Sequence, residues 1–304
     1  MKAGDFRMGI DLGGTKVEAV LLAGDGTVLH RHRVPTPRLK DNPELEYRGI
    51  VDAVIELIEH TGRHLPPASS CTIGVGIPGT MNPKTGVVQN ANTTCLIGRP
   101  FQQELETRLG RPIGMENDAN CFTLAEALQG AGQGHDMVFG IIMGTGCGGG
   151  LCFNGRIHKG RHLIAGEWGH FSVDPAGATC YCGNPGCVET RISGGGVEKH
   201  YQARFNQHLT MEQITAGYRN GDSACKTVFE QFLEDFGRCL GGLISILDPD
   251  AVVLGGGLSN IEELYTLGMS HARRYAFHDH IETPVLKNKL GDSAGVFGAA
   301  WAGI

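Results

Sequence analysis

The chain has 304 residues, 41% of them hydrophobic and 19% charged, and its 26 Lys and Arg against 32 Asp and Glu leave a formal net charge of −6. That balance is ordinary for a soluble globular protein and fits one large domain or two moderate ones. No Lys/Arg cluster supports nucleic-acid binding, no apolar run reaches the length of a membrane span, and Met1 to Asp11 holds no apolar signal-peptide core. Ten cysteines without such a signal argue against a disulfide framework and for a reducing cytoplasm. Glycine is the outlier at 47 residues, several in pairs or triplets beside apolar runs, where backbone must approach something closely.

The first motif is Met8 to Lys16, MGIDLGGTK. An apolar strand ends in Asp11, Gly13-Gly14-Thr15 turns into a second strand over Val17 to Leu22, and Gly24-Asp25-Gly26 turns into a third over Val28 to Val34. The pattern predicts a β-meander. Its Gly-Gly turn leaves backbone N–H groups free to face an anion, Thr15 adds a hydroxyl, and Asp11 suits a hydrated Mg²⁺. A plain hairpin turn accounts for the same residues. Leu45, Ile50, Val54, Leu57 and Ile58 predict a helix over Pro43 to Glu59. Cys71 to Ile77 reads as a buried strand leading to Pro78-Gly79-Thr80, and Gly86 to Asn92 (GVVQNAN) as another strand. Phe101 to Leu109 reads as a helix stopped by Gly110.

Glu116-Asn117-Asp118-Ala119-Asn120 then precedes a helix predicted over Phe122 to Leu128. Asp118 at this junction reads either as an N-cap or as a general base aimed from a helix start into a cleft. The domain boundary is placed here, giving residues 1–117 and 118–290, with a C-terminal helix over about 291–304 packing back onto the first domain. Val138 to Met143 is a strand, Gly144 to Gly150 a glycine-rich turn, Leu151 to Phe153 a strand, and Asn154-Gly155 a hairpin turn. Gly144 lies 131 positions after Gly13, and the repeated strand, Gly/Thr turn and strand suggest an internal duplication. Helices follow over Ser193 to Phe205, with Ser193 as N-cap, and over Ser223 to Leu247. In the second, the Gly241-Gly242 pair permits close packing. A strand over Ala251 to Leu254 runs into Gly255 to Asn260 (GGGLSN), and helical segments around Glu262 to Phe277 and Gly295 to Trp301 close the chain.

Between these lies Gly166 to Glu189, GEWGHFSVDPAGATCYCGNPGCVE. Thiolate and imidazole are the ligands Zn²⁺ prefers, and His170, Cys180, Cys182 and Cys187 would make a closed tetrahedral site. Gly177, Gly183, Pro185 and Gly186 suit tight ligand loops. Four strong ligands leave no open position, so a metal here shapes a loop and does no chemistry. Glu167 and Glu189 flank the cluster, either as solvated loop carboxylates or as ligands for something the loop faces. His30, His32, His60 and His64 read as surface residues, and the trio His271, His278 and His280 is not expected to bind metal.

Taken together, DLGGTK (11–16), ENDAN (116–120), GTGCGGG (144–150), GEWGH (166–170), CYCGNPGCVE (180–189) and GGGLSN (255–260) resemble the ROK family of sugar kinases, whose fold is similar to those of actin and hexokinase. The motifs span nearly the whole chain. VPTPR (34–38), GVVQNANTT (86–94), ILDPDAVVLGGGLSN (246–260) and GDSAGVFGAAW (291–301) extend the resemblance to bacterial manno- and fructokinases. N-acetylglucosamine kinases share much of the set, but the short His170–Cys180 spacing and the NANTT segment resemble the fructokinase branch.

The resemblance implies an α/β, two-domain actin/hexokinase-like (ribonuclease H-like) ATPase fold with a structural zinc loop. It implies ATP, Mg²⁺ and structural Zn²⁺. Gly13, Gly14, Thr15 and Lys16 from one half, and Gly144, Thr145 and Gly146 from the other, would hold phosphates. Asp11 would sit near Mg²⁺, and Gly256, Gly257 and Asn260 near the adenosine. Asp118 becomes the base that takes a proton from a sugar hydroxyl. The implied sugar ligands are Asn117, Asp118, Glu167, His170 and Glu189, with Gly79 and Asn92. His170 would put one ring nitrogen on zinc and offer the other to a hydroxyl or a further protein partner. Trp168 departs from the smaller residue expected in GE-x-GH, and either tightens the pocket or packs.

The implied activity is ATP-dependent phosphorylation of the 6-hydroxyl of fructose, and of mannose. The alternative is an N-acetylglucosamine kinase or glucokinase, because hexoses differ by a few hydrogen bonds worth ~1–3 kcal/mol each. Partners are then a hexose and ATP, with no nucleic acid or membrane, and a homodimer by resemblance. A sugar-sensing ROK repressor would need a helix-turn-helix ahead of the first strand, where the sequence has only the residues before Met8. A purely structural zinc protein would leave Asp118 and both glycine turns without a role.

Overall fold

A computed structural model describes residues 6–39, 41–278 and 280–303. The start of the segment read for a signal peptide (residues 1–5) and the last residue of the expected C-terminal helix lie outside the described residues. The chain forms two compact units. The first runs to Ala125 and takes in Lys159–Ile164 and the chain from Asp292; the second holds Glu126–His158 and Ala165–Gly291.

The first unit contains β1 (Phe6–Leu12), β2 (Lys16–Ala23), β3 (Val28–Pro35), α1 (Pro43–Gly62), β4 (Cys71–Ile77), β5 (Thr80–Met81), β6 (Val88–Gln89), α2 (Phe101–Leu109) and β7 (Gly114–Asn117). From it α3 (Asp118–Gln129) leads into the second unit. There follow β8 (Met137–Met143), β9 (Cys147–Phe153), β10 (Arg156–Ile157), α4 (Val188–Ile192), α5 (Gly194–Phe205), α6 (Met211–Arg219), α7 (Ser223–Leu247), β11 (Ala251–Gly255), α8 (Leu267–Tyr275) and β12 (Val285–Lys287). The last helix, α9 (Ala294–Trp301), belongs to the first unit.

Among the described residues each unit has a five-stranded mixed sheet, in the orders β3-β2-β1-β4-β7 and β10-β9-β8-β11-β12. In both, three strands form an antiparallel meander and two more extend it in parallel. The duplication suggested by two glycine turns therefore extends to strand order.

The helices are fixed at their ends by residues legible in the chain. The Asn42 carboxamide accepts from Leu45 N at 3.1 Å, Pro43 opens α1, and Glu44 and Glu46 sit in its first turn. Leu45 itself lies half exposed, so the apolar stripe of α1 begins at Tyr47, beside the buried Glu46, and continues through Ile50, Val54, Leu57 and Ile58. Asp222 caps α7 by accepting from Cys225 N at 2.8 Å. Phe229, Phe232, Phe236 and Leu240 carry α7 into the core of the second unit. Alanine and glycine make α9 thin enough to lie directly on β1 and β4: a Cβ at Gly74 would stand 1.9 Å from the Ala299 carbonyl oxygen.

The structure departs from the sequence reading at several places. The strand expected over Gly86 to Asn92 shrinks to Val88–Gln89, because Gly86 and Asn90 both turn to positive φ. The run Gly148 to Gly150 is not turn but part of β9, so the turn is Gly144 to Gly146 alone. Helix α3 begins at Asp118, ahead of Phe122. The closing helix around 262–277 is a short 3₁₀ turn over Glu262–Leu264 followed by α8. α6 and β12 had no counterpart in the reading.

The α7–α8 contact separates two adjacent glycines. A Cβ at Gly241 would meet the Ala272 carbonyl at 2.7 Å and Tyr275 Cβ at 2.8 Å, whereas a Cβ at Gly242 meets nothing within 4 Å. Gly242→Ala is expected to stabilise the protein by about 0.5–1 kcal/mol through helix propensity, and Gly241→Ala to destabilise it by about 1–3 kcal/mol through overpacking. Urea melts of the two variants check this; equal shifts would show that α8 does not set the requirement at Gly241.

Candidate functional site

In the first unit, Asp11 closes β1, opposite Glu18 on β2 and beside Gly76 on β4. The Gly13–Thr15 turn has its carbonyls tied back into the unit. Gly13 O accepts from the Thr36 hydroxyl at 2.8 Å, Gly14 O from Arg38 Nη2 at 2.6 Å, and Thr15 O from Thr36 N at 3.0 Å. With its carbonyls occupied, the turn presents N–H groups at its exposed tip, the arrangement that binds anions. Lys16 points to Glu18, its Nζ 3.7 Å from Oε2. Glu18 is fully buried and also meets Arg31 and Arg33.

Asp118 is the first residue of α3, but the cap of that helix is shared. Asn117 Oδ1 accepts from Ala119 N at 2.9 Å and from Asn120 N at 3.2 Å, while Asp118 Oδ1 accepts from Ala119 N at 2.8 Å. Asn117 Nδ2 donates to the Gly79 carbonyl at 3.0 Å. Gly79 has φ +88 and packs its α-carbon against Gln89 and Ala91, so a side chain there would collide with backbone. Asn92, three residues beyond β6, is exposed. Beneath this junction the buried Glu116 accepts from Asn117 N at 3.0 Å and Asn120 Nδ2 at 2.9 Å and pairs with Lys159 at 2.8 Å. Glu116 and Lys159 were not singled out in the sequence; only the adjacency of Glu116 to Asn117 hinted at the first.

Burial pushes the Asp11 carboxyl up to about 7, with Asp118 and Glu18 adding to the rise and Lys16 opposing it. Burial, and after it the carboxylates of Glu116, Asp11 and Asp118, hold the Cys121 thiol well above its usual range, with Lys159 opposing.

In the second unit, the Gly144–Gly146 turn is held from behind as the first turn is. Gly144 O accepts from Gly194 N at 2.8 Å and Thr145 O from Gly195 N at 3.2 Å, both amides at the start of α5. Glu189, on α4, accepts from Cys147 N at 3.0 Å just past the turn. It is therefore neither a solvated loop carboxylate nor simply a flank of the cysteines. Gly256 follows β11 with φ +75, and Gly256, Gly257 and Asn260 are all exposed at the end of that strand. Asn260 Nδ2 donates to Gly257 O at 3.2 Å.

The ligand atoms of His170, Cys180, Cys182 and Cys187 lie within 4.8 Å of one another. Cys180 Sγ is 3.6 Å from His170 Nδ1, and Cys182 Sγ is 3.6 Å from Cys187 Sγ. A tetrahedral Zn²⁺ with Zn–S ~2.3 Å and Zn–N ~2.05 Å needs edges of roughly 3.5–3.8 Å, so the donor set fits that ion. His170 Nε2 lies 2.9 Å from the Tyr181 hydroxyl, and the two rings meet edge-on at 5.0 Å. Tyr181, unread in the sequence, thus takes the ring nitrogen left over from the cysteines. Burial raises the Glu167 carboxyl, opposed by His170 and reinforced by Glu189. Trp168 packs edge-on against Phe139 at 6.1 Å, against the core. Gly169 lies on β9 so closely that a Cβ there would stand 2.0 Å from the Cys147 carbonyl oxygen. Among the described residues the trio His271, His278 and His280 forms no candidate metal group.

The sequence matches the ROK family over residues 7–303. The chain belongs to the ROK family. As a ROK sugar kinase it is 38% identical over 307 aligned residues to a Yersinia enterocolitica N-acetyl-D-glucosamine kinase, covering 96% of this chain and 97% of that one. A Pasteurella multocida N-acetyl-D-glucosamine kinase is 36% identical, covering 97% and 98%. Among solved structures, the ROK hexokinase of Thermus thermophilus superposes with a TM-score of 0.86 at 31% identity, covering 98% and 97%. The ROK glucokinase of Streptomyces griseus, solved with glucose and AMPPNP, gives 0.78 at 30%, covering 98% and 99%. The hexokinase-like α/β fold implied by the motifs is therefore the fold of this ROK protein, and the two similar sheets are its framework.

The raised Asp11 carboxyl has a consequence for stability. The folded state holds a proton there that the unfolded chain releases near 3.8. Stability is therefore lost as pH rises from about 4 to about 7. The cost above pH 7 is at most roughly 4 kcal/mol, lessened by water reaching the open side of the carboxyl. Asp11→Asn is expected to raise the melting temperature at pH 8 by several degrees and to change it little at pH 4. Thermal melts across that range would refute the assignment if both proteins shifted in parallel.

Proposed function

We propose that this ROK kinase transfers the terminal phosphoryl group of ATP to the 6-hydroxyl of N-acetyl-D-glucosamine, with Asp118 as the base. The observation that carries the proposal is Asp118 at the head of α3, its flanks fixed by Asn117 and Glu116, in a chain of a sugar kinase family. The choice of sugar rests on the relatives named N-acetyl-D-glucosamine kinases. That reverses the order of the sequence reading, which put fructose and mannose first on the NANTT segment and the His170–Cys180 spacing; fructose remains the second reading.

Phosphoryl transfer depends mostly on positioning and charge stabilisation, and each unit supplies part of both. In the first, the outward N–H groups of Gly14 and Thr15 receive phosphate oxygens, and Asp118 accepts the proton of the attacking hydroxyl. Asn117 and the Gly79 backbone hold that carboxylate in place, with Asn92 reaching the sugar from the β6 side. Asp11 would hold Mg²⁺, which when bound with the nucleotide would offset phosphate charge. In the second unit, Gly144, Thr145 and Gly146 receive phosphate, and Gly256, Gly257 and Asn260 receive the adenosine. Glu167, His170 and the outer oxygen of Glu189 bind sugar hydroxyls, charged acceptors making the stronger hydrogen bonds. The Tyr181 hydroxyl on His170 Nε2 marks where a sugar hydroxyl would bind. His170, Cys180, Cys182 and Cys187 would hold a structural Zn²⁺, which would fix this loop. We take the working protein to be a homodimer.

A coupled ADP-release assay over N-acetylglucosamine, N-acetylmannosamine, glucose, mannose and fructose tests the sugar. The highest kcat/KM is expected with N-acetylglucosamine; a preference for fructose restores the second reading, and no turnover with any of them sinks the kinase assignment. Asp118→Asn should lower kcat by about 10²–10⁴-fold with sugar affinity changed little. A kcat like that of the parent enzyme rejects Asp118 as base. For the loop, elemental analysis should find about one zinc per chain bound at these four residues, lost in Cys182→Ser; a variant that keeps its full zinc rules out the four-ligand site.

A further inference from the structure

Four histidines read as ordinary surface residues come together on the outer strand of the first unit's sheet. His30 and His32 stand two apart on β3, and so on one face of it. His60 lies in the last turn of α1, and His64 follows by four just beyond the helix end. One ligating nitrogen each from His30, His60 and His64 lies within 4.8 Å of the others. The rings of His30 and His64 stack at 3.5 Å and 7°, and His60 sits 5.5 Å from both. His32, exposed, borders the group 4.6 Å from His60.

Two independent features point to a ligand. His30 Nε2 is buried without a hydrogen-bond partner, which native structures rarely leave unexplained. His64 Nδ1 lies 3.3 Å from the His60 carbonyl, which only accepts. Nδ1 is thus the donor and the lone pair falls on Nε2, the orienting contact typical of metal-binding histidines.

We propose that His30, His60 and His64 form a second metal site, one that takes an imidazole-preferring divalent transition ion such as Zn²⁺. An all-imidazole donor set suits Zn²⁺, Cu²⁺ and Ni²⁺ and offers nothing to Mg²⁺ or Ca²⁺, which want oxygen. Metal–nitrogen bonds of ~2.1 Å place ring nitrogens roughly 3.0–3.4 Å apart. Rotation of the side chains of His60 and His64 closes the remaining distance. Three protein ligands leave a position for water, so this ion exchanges readily while an ion on the cysteine loop does not. Once bound, it pins the end of α1 to β3.

The test uses the full-length protein equilibrated with micromolar free Zn²⁺ and analysed for metal per chain. The parent protein is expected to bind one more zinc than His30→Ala or His64→Gln, and Cys182→Ser to keep that additional zinc while losing the loop's. Added Zn²⁺ should raise the melting temperature of Cys182→Ser but not of Cys182→Ser/His64→Gln. Should His30→Ala melt early by itself, the exposed His64→Gln variant decides. Equal zinc in the parent and the histidine variants, or no second ion at micromolar Zn²⁺, overturns the site.

Discussion

Both glycine turns depend on the same physical arrangement: their carbonyl oxygens are consumed from behind by protein donors. In the first unit the donors are a hydroxyl, an amide and a guanidinium, from Thr36 and Arg38. In the second they are the first amides of a helix, from Gly194 and Gly195. A turn peptide with its carbonyl held inward points its N–H outward, so the tie-down leaves N–H groups at the tip without any charged side chain there, as the proposed phosphate contacts require. The two units reach one result with different donors, as expected if strand order is the inherited feature and the backing is local.

In the second unit this arrangement also governs the cysteine loop. From Cys187 the chain passes through α4, which carries Glu189, and directly into the start of α5. Within ten residues it supplies a metal-type ligand, a carboxylate on Cys147 N, and two amides on the turn. The loop and the turn are thus one mechanical piece. Arg191 anchors it further by pairing with Asp235 on α7 at 2.6 Å. On the other side, the Gly166–His170 segment lies on the glycine face of β9, and Trp168 fills the core beneath it against Phe139. Trp168 is accounted for by packing.

How much of this was legible follows from the kind of signal each part leaves. Helices α2 and α7 were readable to the residue, because α7 has a capping Asp222 and a long apolar stripe and α2 ends in a left-handed Gly110. The cysteine group was legible because its ligands lie close in sequence. The glycines of β9 misled, since glycine signals a turn and carries no strand periodicity; they are in the strand because GEWGH packs against them. α6 opens with a capping box, Thr210 and Gln213, a start signal that its short, largely polar body did not reinforce, and β12 is three residues long, too short to leave a pattern. Contacts made only by folding left no signal at all: Lys159 under Glu116, Tyr181 on His170, and histidines from β3 and the end of α1 brought side by side.

The charges of the first unit show why Asp11 differs from its neighbours. Glu18 is fully buried yet meets Lys16, Arg31 and Arg33, and Glu116 has Lys159. Asp11 forms no ion pair among the described residues, and Asp118 and Glu18 both act against its ionisation. A carboxylate kept short of cationic partners in this way is costly in isolation and becomes favourable when a divalent cation arrives, because an opposite charge at close range outweighs lost hydration. In the proposed reaction that cation enters with the nucleotide. On that proposal, the incoming cation would relieve the burial and like-charge cost that Asp11 carries in the free protein.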